Sequence, residues 1–326
     1  MERIKKDLTA KIENKLKKKV ESMYKGNLIA KEIKGYLIPK GSRPGKVHGN
    51  PKMHKKNNPC RVIINGNKHS TENMAEIIEN ELAENVRNLN SYIKDTTDFL
   101  RKLSEIQQPL PKGAIMFCFD VKALYPSVPR KEARTACEKA LQGRTNKSLT
   151  TECVLDMLDL VLENNNFSFN DKHYIQTEGT AIGSHLGMNY ACTFLGDWEK
   201  ELLQKSEYLP AQYWRYVDDI WGIWEHGLDK FHEFHNLANS LHPRIKIELR
   251  FSNKQIEFVD VNVSIKTDLF SKDTDKHMYL HVTSSHPNSV KNAIPYGLGV
   301  RAKRICFKLD EMKLKTIYGN GDIQMI

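Results

Sequence analysis

Leu8, Ile12 and Leu16 recur every four residues in an otherwise charged stretch, and this spacing predicts an amphipathic helix over Ile4 to Tyr24. From Pro39 to Asn67 the chain is basic and broken by glycine and proline, too interrupted for a long helix. Ser70 stands as an N-cap for a helix reaching about Asn88, with Ile77, Ile78, Leu82 and Val86 on one face. Ala114 to Val121 is a short apolar run of strand formers that contains Asp120, and the chain then passes Pro126 and Pro129 into a helix near Lys131 to Leu141. Helices are predicted over Thr151 to Glu163 and Met188 to Leu203, separated by a glycine-rich loop from Thr177 to Gly187. Tyr213 to Trp224 predicts a hairpin with Asp218-Asp219 between its apolar strands. A helix near Leu228 to Leu241 follows, then two alternating strands, Ile245 to Phe251 and Val259 to Ile265. That order of elements suits an α+β domain, an antiparallel sheet backed by helices.

Composition narrows the class. The chain has 326 residues, of which 40% are hydrophobic, enough to bury a sizeable core and more than one subdomain. No stretch approaches the roughly 20 apolar residues of a membrane span, so no membrane partner is expected. The lysine-rich N-terminus lacks the apolar segment of a secretory signal. Cys60, Cys118, Cys137, Cys153, Cys192 and Cys306 are scattered without a C-x-x-C pair and read as reduced intracellular thiols, not as a disulfide framework or a zinc site. The formal net charge of +10 favours a polyanionic partner, although a solvated basic surface gives the same sum.

Three carboxylates carry the candidate chemistry. Asp120 follows Phe117-Cys118-Phe119, and Asp218-Asp219 interrupt the apolar run Tyr213 to Trp224. Charge set into apolar strands is costly without a partner. Adjacent acids facing a third would repel unless cations lay between them, and magnesium suits such a place because it takes hard oxygen ligands and leaves positions open for phosphates. Two such ions about 4 Å apart stabilise both the attacking and the leaving oxygen of an in-line displacement. Taken singly, Asp218-Asp219 also fits a hairpin turn and Asp120 a cap after a buried strand.

Tyr216-Val217-Asp218-Asp219 resembles the polymerase motif of reverse transcriptases, and Phe119-Asp120-Val121-Lys122-Ala123-Leu124-Tyr125 resembles their first catalytic motif. Further segments resemble the Penelope-like retroelement reverse transcriptases, a branch related to telomerase: Pro51-Lys52-Met53-His54-Lys55, Arg61-Val62-Ile63-Ile64, Gly179-Thr180-Ala181-Ile182-Gly183-Ser184, Phe258-Val259-Asp260-Val261, Tyr279-Leu280-His281, Ser285-His286-Pro287 and Arg301 to Cys306. The match runs in order from about Leu37 to Phe307.

The resemblance implies a right-hand polymerase, α+β, with fingers, palm and a partial thumb. It implies RNA-directed DNA synthesis from deoxynucleoside triphosphates on an RNA template and a DNA primer, with two Mg²⁺ ions, or Mn²⁺ in their place, in an intracellular, nuclear setting. Asp120, Asp218 and Asp219 would be catalytic metal ligands with the Val121 carbonyl as an accessory. Arg61 matches the arginine that grips the incoming triphosphate, where a guanidinium forks two hydrogen bonds onto phosphate, and Lys52 and Lys55 add charge on that side. Tyr125, five residues after Asp120, stands where the family's steric gate excludes a ribose 2′-hydroxyl. Gly179 and Gly183 would let backbone pass close to nucleotide and template. Lys246 would stand near the leaving pyrophosphate, with Lys254 as its rival. His281, His286 and Cys306 fit no zinc spacing and are read with the primer-contacting region, while His48, His54, Cys60 and His69 are read as a fingers loop.

The expected organisation is a basic helical extension (1–27), fingers (28–112), palm with the first catalytic motif (113–144), a fingers/palm insertion (145–180), the remaining palm (181–265), and a primer-grip region with truncated thumb (266–326). Three departures from the family are expected to matter: Ile182 and Gly187-Met188 in the template-facing loop, a tail after Cys306 unlike the continuing thumb, and the lack of a GIY-YIG endonuclease segment among these 326 residues. Low processivity is expected of a short thumb. Two readings compete with a working polymerase: a truncated, weak or inactive copy that retains nucleic-acid binding, and a metal-dependent nuclease, in which Tyr125, Arg61 and the glycine loop have no role.

Overall fold

Asp7 decides where the first helix begins. Its carboxylate accepts the Thr9 backbone N–H at 2.8 Å and the Thr9 hydroxyl at 2.6 Å, a local turn that competes with helical hydrogen bonding. In the computed structural model helix α1 therefore runs over Thr9–Lys25, and Glu2–Ile4 form a strand, β1, although the spacing predicted helix from Ile4. The structure describes residues 1–51, 60–106, 110–264, 268–269 and 284–305. Lys52, His54 and Lys55, like His281 and Cys306, lie outside the described residues.

After α1 come α2 (Lys31–Leu37), β2 (Gly45–Pro51), β3 (Cys60–Asn65), α3 (Glu72–Arg87), α4 (Thr96–Ser104), β4 (Ile115–Val121), the single turn α5 (Leu124–Ser127), α6 (Arg130–Gly143) and α7 (Thr151–Glu163). Next are β5 (Asn166–Phe169), β6 (Lys172–Ile175), α8 (Gly187–Lys205), β7 (Gln212–Tyr216), β8 (Asp219–Trp224) and α9 (Leu228–Ser240). The described chain closes with β9 (Ile247–Ser252), β10 (Ile256–Phe258), β11 (Val261–Val263), β12 (Asp268–Leu269) and α10 (Asn288–Ile305). The chain divides into two units: Met1–Tyr92, Asp120–Leu209 and Leu228–Glu248 in the first, and Ile93–Phe119, Pro210–Gly227 and Leu249–Ile326 in the second.

The first unit holds a five-stranded sheet in the order β1-β6-β5-β2-β3. Its pairs are antiparallel except β2 with β5, which run parallel, Gly45 opposite Phe167. Helix α3 packs against α6, α7 and α8. Their apolar stripes, such as Met74, Ile78 and Leu82 of α3 and Tyr190 and Leu195 of α8, are almost wholly buried. Thr150 caps α7 by accepting the Cys153 N–H at 3.2 Å, so this helix starts where its sequence signal places it.

The second unit is organised by aromatic packing. In the sheet β7-β8-β4-β9, Trp214 of β7 lies opposite Trp221 of β8, and the rings stack with centroids 5.2 Å apart. Phe99 of α4 meets Trp221 edge-on at 5.3 Å and Phe258 at 4.8 Å. Ile220 to Trp224 are all buried, which marks β8 as an interior strand covered on both faces. Where one strand was predicted over Val259 to Ile265, the structure places a hairpin: β10 and β11 pair with Phe258 opposite Val261, and Val259 turns the corner at φ +53°. Ile256 and Phe258 supply the missing half of the alternation, both buried.

Candidate functional site

The Tyr216 to Asp219 turn is built from an unusual backbone. Val217 takes φ +56°, a left-handed conformation that a β-branched residue rarely adopts, and buried Arg215 donates to the Val217 carbonyl at 3.0 Å. Tyr216 pairs with Asp219, so Val217 and Asp218 are the two-residue connection of the β7–β8 hairpin. Asp218 and Asp219 are half-buried while Trp214 before them and Ile220 after them are buried. Strain of this kind persists where the surroundings over-determine it, and it concentrates at working sites.

Strand β4 is the neighbour of β8 in the sheet. Phe117, Cys118 and Phe119 are buried within the second unit, and burial pushes the Cys118 thiol up to about 12, which leaves it unreactive near neutrality. Asp120, half-buried, and Val121, buried, complete the strand. Ala123 then takes φ +47°, a second left-handed non-glycine residue close to a singled-out acid.

Within the first unit, Tyr125 is seated against the glycine loop. The Tyr125 carbonyl accepts the Thr180 N–H at 2.9 Å. A Cβ on Gly179, at φ +63°, would stand 2.5 Å from that carbonyl and 2.6 Å from the Pro126 carbonyl. Arg130 fastens the same loop, donating to the Gly179 and Gln176 carbonyls at 3.0 and 2.9 Å. Arg244 donates to the Pro126 carbonyl at 3.0 Å and pairs with Glu178. On its other side the Tyr125 ring meets Gly187, the first residue of α8, where a Cβ would lie 3.0 Å from the ring.

Gly183, at φ +97°, lies so close to β3 that a Cβ would be 2.7 Å from the Ile64 carbonyl. The approach that requires glycine there is to β3, reinforced by the Ile64 N–H donating to the Ile182 carbonyl at 2.8 Å. The loop is thereby tied to the strand that carries Arg61, exposed and opposite Asn50. Lys246 is exposed just before β9; its carbonyl accepts the Lys122 N–H at 2.8 Å. Lys254 is exposed in the turn after β9, and His286 is exposed beside α10. His69 is buried between the Thr71 hydroxyl at 2.8 Å and Asn166 at 3.0 Å, and burial lowers its pKa; it is a structural imidazole.

Sequence reasoning passed over Glu79. This α3 side chain accepts the Asn189 N–H, the third of α8, at 3.1 Å, and the Asn189 side chain donates back to the Glu79 carbonyl at 2.9 Å. Glu79 thus caps α8 from outside the helix. Burial pushes its carboxyl up to about 7, against the Asn189 hydrogen bond, which lowers it. The folded state then holds a proton that the unfolded state releases, so stability falls as pH rises from 4.5 to about 7. Glu79→Gln should match the parent at acidic pH and gain on it through that window, by of order 1 kcal/mol after solvent screening. Thermal melts across pH test this; a difference in Tm that does not vary with pH contradicts it.

The carboxylates are the group that could hold a cation. Asp218 and Asp219 are adjacent, partly exposed, hard oxygen donors, and Asp120 is the last residue but one of β4, the strand next to β8. Among the described residues no three or more His, Cys, Asp or Glu are gathered as a metal-binding group. Magnesium does not require one, since it is commonly bound through one or two carboxylates together with substrate phosphates and water. The donor chemistry therefore fits Mg²⁺ and does not fit a closed zinc centre.

No family model and no curated protein matches the sequence. Solved structures do resemble the fold. Telomerase from Candida albicans in complex with a TWJ fragment of telomeric RNA is similar at a TM-score of 0.57 and 12% identity, over 86% of this chain and 52% of that one. Apo telomerase from Candida tropicalis gives 0.57 and 12%, over 85% and 56%. The BmCPV RNA-dependent RNA polymerase in its quiescent state gives 0.50 and 11%, over 82% and 27%. The fold, of mixed α+β build, is similar to that of these telomerase chains, and the chain spans about half their length.

Proposed function

We propose that this chain is an RNA-directed DNA polymerase of the Penelope-like type, transferring deoxynucleotides to a primer 3′-hydroxyl on an RNA template. The observation that carries the reading is the placement of the acids in a telomerase-like fold: Asp218 and Asp219 at the β7–β8 turn, and Asp120 last but one in β4, the strand next to β8. In this reading residues 28–112 with part of 145–180 are fingers, the sheet of β4, β7, β8 and β9 is the palm, and 266–326 belong to the primer grip and thumb.

Asp120, Asp218 and Asp219, with the Val121 carbonyl, would hold two Mg²⁺ ions, which when bound neutralise charge on the attacking and leaving oxygens. The primer oxygen attacks the α-phosphate in line, and pyrophosphate leaves. The chain contributes mainly position and charge. Arg61 and Lys52 orient the triphosphate, Lys246 meets the leaving pyrophosphate, and Tyr125 fills the space a 2′-hydroxyl would need. The Gly183 loop keeps Arg61's strand in register with the template side.

Extension of a DNA primer on annealed RNA, dependent on Mg²⁺ or Mn²⁺ and stopped by chelation, tests the reading. Primer shortening without added nucleotides would point to a nuclease. Binding without extension would leave a nucleic-acid-binding remnant.

The seat of Tyr125 adds a sharper expectation. A methyl on Gly187 forces the ring to shift by a few tenths of an ångström. Gly187→Ala should change the preference for deoxy- over ribonucleotides by about fivefold or more, the lower end of what over-packing costs. In a Tyr125→Ala background the same methyl should change it little. Equal effects in both backgrounds would show that Gly187 acts by another route.

A further inference from the structure

Helix α1 presents two unlike faces. Ile12, Leu16, Val20 and Met23 are buried, none more than 4% exposed. The opposite ridge, Lys11, Asn14, Lys15, Lys18, Ser22 and Lys25, is exposed along its whole length and contains no acid. The acids of the helix have their close partners elsewhere, Glu13 with Lys17 at 2.6 Å and the Ser42 N–H at 2.9 Å, and Glu21 with Lys34 at 2.8 Å, with Lys25 a weaker electrostatic neighbour of Glu21. Lys15 pairs with Glu163 at 3.2 Å and Lys19 with Asp156 at 2.8 Å. Lys11, Lys18 and Lys25 have no ion pair among the described residues.

At about 1.5 Å of rise per residue, the seven-residue spacing sets these cations about 10 Å apart on one line, about 21 Å in all. The apolar face is already buried, so the helix cannot enter a membrane surface as an amphipathic helix does. A protein surface normally mixes its charges. A continuous anionic line of this length is what a nucleic-acid backbone offers, with one charge per about 1.7 Å of duplex axis.

We infer that the Lys11–Lys18–Lys25 ridge of α1 is a docking surface for the phosphate backbone of the primer–template duplex. The choice of that duplex rests on the polymerase reading; the ridge itself does not. Each lysine replaces a condensed counterion, so the contact carries a countable salt dependence.

The test is fluorescence-anisotropy binding of an annealed DNA primer and RNA template across a salt series, for the parent and for K11Q/K18Q/K25Q. Loss of three phosphate contacts should reduce the slope of log K against log salt by about 2 to 3. The extension rate at saturating duplex should be unchanged, and K11R/K18R/K25R should bind as the parent does, which separates charge from folding. Identical slopes for parent and glutamine variant, in a parent that extends primers, overturn the ridge and leave the polymerase reading intact. A parent that does not extend, yet binds with a slope the glutamine variant lacks, overturns the polymerase reading and supports the ridge. Unchanged duplex binding with weakened binding to poly-glutamate would assign the ridge to an acidic protein and overturn the proposal.

Discussion

The Asp218→Asn/Asp219→Asn variant should lose primer extension by at least about 10³-fold, roughly 4 kcal/mol of transition-state stabilisation, while folding as the parent does. Asparagine keeps the size and turn preference of aspartate and removes only the charge. Both side chains are half-buried on a hairpin turn whose backbone asparagine accepts as aspartate does, so the variant should retain the fold. Duplex binding should persist, because the phosphate-facing cations are untouched. A variant that still extends within tenfold of the parent would remove these residues from the chemistry. A variant that fails to fold would recast them as structural.

The second large effect is on stability. Gly179→Ala should cost about 3 kcal/mol, combining a left-handed backbone with over-packing against two carbonyls. Gly41 is the internal control, since it has nearly the same φ, +61° against +63°, and nothing within 4 Å of its would-be Cβ. Gly41→Ala should cost only about 1 kcal/mol, the conformational part alone. Urea denaturation of both variants measures the difference. If the two cost the same, the close approach of Gly179 to Tyr125 and Pro126 contributes nothing.

Long periodic elements were legible in the sequence because their signal is local. Thr151–Glu163 is a helix with the expected bounds, and the alternation around Asp218-Asp219 is a hairpin. The five-stranded sheet was not legible. β1, β5 and β6 are only three or four residues long, β2 is glycine-containing and polar, and two of the pairings join distant segments, as when Glu2 pairs with Ile175 or Gly45 with Phe167. Val259 misled the reading because valine favours strand interiors, whereas tertiary packing of Phe258 and Val261 holds it in a turn.

For the candidate site, the sequence singled out the residues but not what seats them. The contacts of Tyr125 with Gly179 and Gly187, and of Gly183 with Ile64, join segments separated by whole elements. Glu79 did leave a trace. It stands four residues after buried Ala75 and beside buried Ile78, on the edge of an apolar stripe where a carboxylate needs a partner. Without knowing that α8 begins alongside, that partner could not be named.

The most direct test of the central claim is single-nucleotide primer extension on a defined RNA template, supplying one deoxynucleotide at a time with Mg²⁺. The account predicts that the DNA primer grows by one residue only with the nucleotide complementary to the next template base, and that the matching ribonucleotide is poorly used. Addition that ignores the template, shortening of the primer, or no growth with any nucleotide would contradict it.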